Sequence, residues 1–348
     1  MRIRIVVNDV DTEVDRAATT VIATAACRRE HEVYTAGVGE LEYYADGRVG
    51  ATARRGPGAD VESQQAYLDA VQGPDAPREQ VSSRELDVIW LRHNPGEEAI
   101  SDARVEEAGI QFGQLALEHG VIVLNHPYSL SWATTKMYFQ QFPEAVRPPT
   151  IITRSYERVA EFHAEHGPKV VVKPLMGYGG TDVFLVGEDA DNLRQIVESI
   201  ARKGYVIAQG FIPGAEAGDT RFFMVNGKPL VVDGKYAAVR RLAGEDDFRS
   251  NMSAGGRPAP AEIDDGILRL ARIVGPKLVK DGIFFAGLDI VGDRLVEINT
   301  ISAGGLNIAG KLQEVDFGGA VIEAVERKVF YKRHYGEHIR NIELATLD

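Results

Sequence analysis

Gly287-Leu288-Asp289-Ile290-Val291-Gly292-Asp293-Arg294-Leu295-Val296-Glu297-Ile298-Asn299 is the stretch on which the fold turns. Phe284–Ile290 and Arg294–Ile298 read as two apolar strands about Gly292-Asp293, a hairpin-turn dipeptide. Asp289 and Glu297 stand equally far from Asp293, so the hairpin puts them on paired strands. Glu297 and Asn299 are two residues apart and share one face, because strand side chains alternate. Two carboxylates and an amide oxygen thus collect among apolar neighbours, and buried carboxylates need partners. Hard oxygen donors of this kind suit Mg²⁺, especially when substrate phosphates complete its shell.

Working outward, the pattern repeats. Arg221–Val225 and Leu230–Val232 flank Asn226-Gly227, a strong hairpin signal. Val170–Lys173 and Val183–Val186 flank a glycine-rich loop. Helices are expected at about 190–203 and 264–280. In the second, Ile267, Leu270, Ala271, Val274 and Leu278 mark one apolar face. Antiparallel hairpins covered by helices make an α+β architecture. The first 127 residues differ. Strands at Arg2–Val7, Glu32–Ala36, Leu86–Leu91 and Val121–Leu124 alternate with helices near 17–29 and 106–119, an open α/β pattern. Residues 47–80 are polar, with scattered Gly and Pro, and are expected to be loop-rich. The stretch from Phe330 to Asp348 is charged and reads as a helix or a tail.

Three further clusters carry chemistry. Lys173-Pro174-Leu175-Met176-Gly177-Tyr178-Gly179-Gly180-Thr181 ends an apolar strand in a lysine and enters a loop with three glycines. Glycines let backbone N–H groups approach phosphate oxygens, and the lysine adds charge. The loop is no dinucleotide fingerprint, because Asp182 replaces the third glycine, and no P-loop, because Gly-Lys-Ser/Thr is missing. Residues 221–257 hold seven cations and four acids, a local charge of +3 against −12 for the whole chain. An arginine-bearing loop there suits closure over anionic intermediates. Ser302-Ala303-Gly304-Gly305 follows the carboxylate strand and exposes several N–H groups that could hold a carboxylate.

Composition sets the limits. The 348 residues lead us to expect two or three domains with full cores. A net charge of −12 disfavours nucleic acid and anionic membrane as partners. The single cysteine, Cys27, excludes an internal disulfide and a cysteine-based zinc site; it reads as helix packing. The eight histidines show no metal spacing. With no signal-like leader and no membrane-length apolar run, a soluble cytoplasmic protein is expected.

The order of the pieces carries more than any one of them. Lys136 comes first, then Lys173-Pro174 with the glycine loop. Ala208-Gln209-Gly210-Phe211-Ile212-Pro213 and Gly218-Asp219-Thr220-Arg221 follow, then Arg249 to Arg257, and finally Asp289…Glu297-Ile298-Asn299. This order resembles the ATP-grasp superfamily and, within it, the bacterial glutathione synthetase branch, over nearly the whole chain. The resemblance implies two α+β subdomains gripping ATP behind an open α/β N-terminal domain. It places the pre-ATP-grasp domain at 1–127, the lid subdomain at 128–206, the C-terminal subdomain at 207–330 and a tail at 331–348. It implies that Lys136 and Lys173 contact the ATP phosphates and that Gly177, Gly179 and Gly180 cover them. Gln209, Gly210, Phe211 and Ile212 would read adenine, with Asp219 nearby. Asp289, Glu297 and Asn299 would hold two Mg²⁺ ions, with Mn²⁺ as a substitute. Arg221, Arg241, Arg249 and Arg257 would neutralise the transferred phosphate and the acyl intermediate. Arg92 and the Thr19/Thr20 region would receive the peptide donor, and Ser302, Gly304 and Gly305 the acceptor. The implied activity is ATP-dependent joining of γ-glutamylcysteine to glycine in a homodimer or homotetramer.

One departure stands out. After Glu297-Ile298-Asn299 the family continues with a Thr-Ser-Pro-Thr-type run, whereas this chain reads Thr300-Ile301-Ser302-Ala303-Gly304-Gly305. The acceptor is therefore open, and a ligase for another small peptide or amino-acid pair is the alternative. A nucleotide-binding regulatory protein on a degenerate grasp fold is the rival from another class. The intact Asp289, Glu297 and Asn299 set argues against it. A small-molecule kinase is a further rival, but neither His-Arg-Asp nor Asp-Phe-Gly is present.

Overall fold

The computed structural model describes residues 1–93, 103–176, 182–243 and 256–348. The N-terminal unit is built on one sheet. Strands β1 (Arg2–Val7), β2 (Glu32–Gly37), β3 (Leu41–Tyr43), β4 (Val49–Arg55), β5 (Arg78–Ser82), β6 (Val88–Leu91) and β7 (Ile122–Leu124) run in the order β3-β4-β2-β1-β6-β7, with β5 on β4. β2, β1, β6 and β7 are parallel neighbours. Helices α1 (Ala18–Arg28), α2 (Gln64–Gln72), α3 (Ala103–Leu117) and α4 (Pro127–Ala133) complete the unit. Residues 47–80 are therefore no loop: they hold β4, α2 and the start of β5. The reason is the residue type. Val49, Ala51 and Ala53 alternate inward, but alanine is a poor strand former and hides the period. In α2, Ser63 Oγ caps the Ala66 N–H at 3.1 Å, and Tyr67, Leu68 and Val71 are buried.

The middle unit is a four-stranded antiparallel sheet. Its strands are β8 (Thr150–Thr153), β9 (Val170–Pro174), β10 (Phe184–Val186) and β11 (Val206–Gly210), in the order β10-β9-β11-β8. Helices α5 (Tyr156–His166) and α6 (Leu193–Ala201) cover it over a separate small core of Val159, Phe162, Val172, Val197 and their neighbours. β11 runs past residue 206, the expected boundary, and so completes this sheet.

The third unit comprises β12 (Asp219–Val225), β13 (Lys228–Pro229), β14 (Val231–Val232), β15 (Lys235–Tyr236), β16 (Ala238–Leu242), β17 (Arg257–Ala259), α7 (Asp265–Lys280), β18 (Phe285–Val291) and β19 (Arg294–Asn299). Its main sheet runs β17-β16-β12-β18-β19, with β13 on β12. Both expected turns form, but β12 pairs with Lys228–Pro229 rather than with Leu230–Val232, and Val231–Val232 pair with Lys235–Tyr236. Asn226 and Gly227 turn with φ of 53° and 70°, and Asp289 stands opposite Glu297 as the spacing requires. The apolar face of α7 is buried as its period predicts.

Helices α8 (Leu306–Gln313), α9 (Phe317–Tyr335) and α10 (Asn341–Leu344) end the chain. The stretch after 330, expected as a helix or a tail, is largely helical and packed. Leu344 and Ala345 are buried, and Asn341 bonds both the N–H and C=O of Val123 on edge strand β7, at 2.9 and 2.8 Å. Its many charges lie on exposed faces and concealed these anchors. The N-terminal and third units share their cores: Trp90 lies 5.2 Å from Phe284 between ring centroids. No described helix is long and apolar enough to cross a membrane.

Candidate active site

The three units meet around one cavity of about 620 Å³. The middle unit and the linker before it contribute Lys136, Lys173, Leu175, Ile207 and Gln209. The third unit contributes Arg221, Arg241, Glu297, Asn299, Ser302, Gly304 and Gly305. The N-terminal unit contributes Asn8, Glu13, Val14, Arg16, Thr19 and Arg92.

One end of the cavity is cationic. Lys173 on β9 donates to Gln209 Oε1 on the neighbouring β11 at 3.1 Å. Lys136 donates to the Pro174 carbonyl at 2.8 Å, so both ammonium groups converge where β9 ends. Burial lowers the Lys136 ammonium to about 8, helped by Lys173 and opposed by Glu297. Burial likewise lowers Lys173, again opposed by Glu297. Two desolvated ammonium groups beside one carboxylate gain strongly from an added polyanion. Apolar side chains of Leu175, Ile207, Phe139 and Ile298 line the wall beside them.

A second row of charged residues crosses four strands, with Arg221, Arg241 and Glu297 on the cavity wall. Sheet register sets Arg241 opposite Asp219, Arg221 opposite Asp289, and Asp289 opposite Glu297. Arg221 grips Asp289 through Nε and Nη2, the latter at 3.0 Å. Arg241 reaches Asp289 at 2.8 Å and also forks onto Asp219. Burial alone would raise the Asp289 carboxyl, but the two guanidinium groups more than offset it and hold it below the usual range. The buried Arg241, despite its desolvation, is raised by Asp289 and Asp219. Gly218 lets its backbone pass so close to Arg241 O that a Cβ would overlap it, and its φ of 102° also favours glycine.

Asp289 therefore stands behind the cavity wall, while Glu297 and Asn299 open onto it. Asn299 donates to Asp289 at 3.4 Å. Among the described residues no group of three or more His, Cys, Asp and Glu side chains could hold a metal. On the cavity wall itself stand one carboxylate and one amide oxygen, hard donors of a kind that suits a divalent cation, with Asp289 held behind them by its two arginines.

The loop at 302–305 is held from both sides. Arg221 donates to the Gly304 carbonyl at 2.9 Å, and Arg92 donates to the Ala303 carbonyl at 3.2 Å. Arg92 is buried over the Trp90 and Phe285 rings and bonds Thr19 Oγ1 at 3.3 Å. Burial lowers Arg92 to about 10, opposed by Glu13.

Several expected residues fall elsewhere. Gly177, Gly179, Gly180 and Arg249 lie outside the described residues. Gly210, Phe211 and Ile212 do not line the cavity; the Phe211 ring sits 5.5 Å from the Lys169 ammonium. Asp219, expected to bond the nucleotide or its surroundings, does not line the cavity and bonds Arg241, which does. Arg257 is exposed on β17 and does not line the cavity. Asn125 escaped notice in the sequence. Its buried side chain bonds the Phe285 N–H and C=O, each at 2.9 Å, and the Thr300 carbonyl, and so pins the floor of the site. Its place at the end of a strand facing the site was the available signal. Glu13 and Arg16, also on the cavity wall, had none.

Comparisons with known proteins agree with this picture. Residues 1–130 match the family model "Prokaryotic glutathione synthetase, N-terminal domain", and residues 135–314 match "Prokaryotic glutathione synthetase, ATP-grasp domain". A glutathione synthetase of Shewanella oneidensis is 37% identical over 70% of this chain and 75% of its own. One from Yersinia pestis is 34% identical over 72% and 75%. Among solved structures, the D-cycloserine synthetase DcsG superposes with a TM-score of 0.59 over 92% of this chain and 99% of that one, at 16% identity. The ATP-grasp ligase PsnB, complexed with a precursor variant, Mg and ADP, gives 0.59 over 94% and 98%, at 18% identity. Likeness at that level of identity speaks for the fold.

Proposed function

Since the chain belongs to the prokaryotic glutathione synthetase family and is thereby an ATP-grasp ligase that forms a C–N bond, we propose that its cavity joins γ-glutamylcysteine to glycine. The observation that carries this reading is the meeting of Lys136, Lys173, the Arg241–Asp219 and Arg221–Asp289–Glu297 row and the Arg92 wall around one cavity.

A carboxylate does not react with an amine directly, because hydroxide leaves poorly. Transfer of the ATP γ-phosphoryl group to the donor carboxylate gives an acylphosphate, and phosphate is a competent leaving group. Lys136 and Lys173, poorly solvated before the nucleotide arrives, hold its phosphates. Glu297 and Asn299, with Asp289 behind them, would hold a divalent cation; two ions belong to the proposal. When bound, such a cation would offset phosphate charge. Arg221 and Arg241 face the transferred group. Their carboxylate partners fix the forks before substrate binds, so little reorganisation accompanies the reaction. Arg92 and Thr19 receive the donor, while Ser302, Gly304 and Gly305 receive the acceptor carboxylate. The acceptor nitrogen then attacks the acyl carbon, its proton passes to solvent or phosphate, and the C–O bond to phosphate breaks.

Phosphate release measured with panels of dipeptides and amino acids tests the reading. Release should need both γ-glutamylcysteine and glycine and should match amide formed. A preference for another pair would move the substrates within the ligase class. ADP formation with a phosphorylated product and no free phosphate would indicate a kinase, and no turnover with any pair would indicate a regulator.

A further inference from the structure

We infer that Arg54 and Gln72 are positioning residues: they brace the segment between β1 and α1 against the cavity, and this brace sets affinity for the acyl donor without touching it. The inference rests on the reading of the N-terminal wall as the donor side.

The segment from Asp9 to Ala17 supplies Glu13, Val14, Arg16 and Ala17 to the cavity wall. Its own regular structure is one 3₁₀ turn, Val10–Thr12, capped by Asp9 through the Asp11 N–H at 2.9 Å. So short a turn does not hold nine residues in place. Thr20 Oγ1 anchors the segment's second half by donating to the Val14 carbonyl at 2.9 Å, and two side chains from the neighbouring sheet and helix hold its first half. Arg54 lies within β4, in register with Thr35 on β2 and Arg78 on β5. Its guanidinium forks onto Asp11, with Nη2 to Oδ2 at 2.8 Å, and also donates to the Val71 carbonyl at 3.0 Å. Gln72, the last residue of α2, donates through Nε2 to the Val10 and Glu13 carbonyls at 2.7 and 2.9 Å. The Arg54 side chain is 6% exposed and that of Asp11 58%. The buried cation is thus held within its strand, and the exposed acid reaches it from the segment. The Arg54 hydrogen bond holds the Asp11 carboxyl below its ordinary range. Neither Arg54 nor Gln72 lines the cavity. Their contacts to this segment fall at Val10, Asp11 and Glu13, just before Val14 and Arg16 on the wall. A planar fork matched to a carboxylate is not reproduced by lysine.

Asp11→Asn is the cleanest test, because the changed group is exposed and keeps its size while Arg54 loses only its charged partner. Together with Arg54→Ala and Gln72→Ala it should raise KM for γ-glutamylcysteine roughly ten-fold, with kcat and KM for ATP within roughly two-fold. Arg54→Lys should fall between. The Asp11→Asn and Arg54→Ala effects should be strongly non-additive, since they remove one interaction. Backbone amide exchange should speed up in residues 10–17 and not in β1 or α1. Unchanged donor KM and unchanged exchange in Asp11→Asn and Gln72→Ala would overturn the inference, as would an equal rise in both substrates' KM values. Absence of turnover by the wild-type protein with γ-glutamylcysteine and glycine would reject the functional reading instead. The exchange pattern would then still decide whether the brace exists.

Discussion

Nucleotide binding should draw a proton onto the protein, and the site says how much. The Lys136 ammonium is lowered to about 8, first by burial and then by Lys173. ATP phosphates beside it favour the charged form, so its bound pKa lies well above the free one. The sign follows. Binding is strongest below pH 8, where the free lysine is already charged, and weakens as pH rises through that value. At pH 7 roughly nine-tenths of Lys136 groups are protonated, and at pH 9 roughly one-tenth. That difference lowers ATP affinity roughly ten-fold, about 1.4 kcal/mol. At pH 8 about half a proton is taken up per ATP bound. Lys173, shifted in the same direction, adds to the effect. Titration calorimetry in two buffers of different ionisation enthalpy reads the uptake directly. In Lys136→Met the uptake at pH 8 should fall by about half or more. No uptake at pH 8 in the wild type, or equal uptake in Lys136→Met, would refute the placement of these lysines on the phosphates.

Other consequences follow from particular contacts. Glu297→Gln should raise the Mg²⁺ concentration for half-maximal activity at least roughly ten-fold while leaving the melting temperature nearly unchanged, because Glu297 faces the cavity. Asn125→Ala strands the N–H and C=O of Phe285 and the Thr300 carbonyl, and should cost about 2–4 kcal/mol in denaturant unfolding. At Gly304 a Cβ would meet nothing within 4 Å, so Gly304→Val should fold normally yet raise KM for the acceptor several-fold; an unchanged KM would move the acceptor off this loop.

How much was legible follows from the range of the interactions. The Asp289/Glu297 pairing was readable because one turn dipeptide and a two-residue period set it within thirteen residues. The face of α7 was readable for the same reason, since five apolar positions at helical spacing lie on one element. The grip of Arg221 on Asp289 was not, because it joins residues 68 apart through a register between β12 and β18. Composition showed that 221–257 was basic but not which arginines would be neutralised by buried partners. Arg221 and Arg241 are; Arg257 is exposed on β17. The brace of Arg54 and Gln72 lies in a stretch whose alanines disguised a strand. Asn125 bonds groups 160 and 175 residues away, and no local pattern encodes that.

The central claim is that ATP activates a carboxylate here before an amine displaces phosphate. γ-Glutamylcysteine labelled with ¹⁸O in its cysteinyl carboxylate, incubated with ATP and glycine, tests it in one experiment. Each phosphate released should carry one labelled oxygen, with the other retained in the new amide. Amide formed with unlabelled phosphate would contradict the acylphosphate route, and phosphate released without amide would contradict ligation.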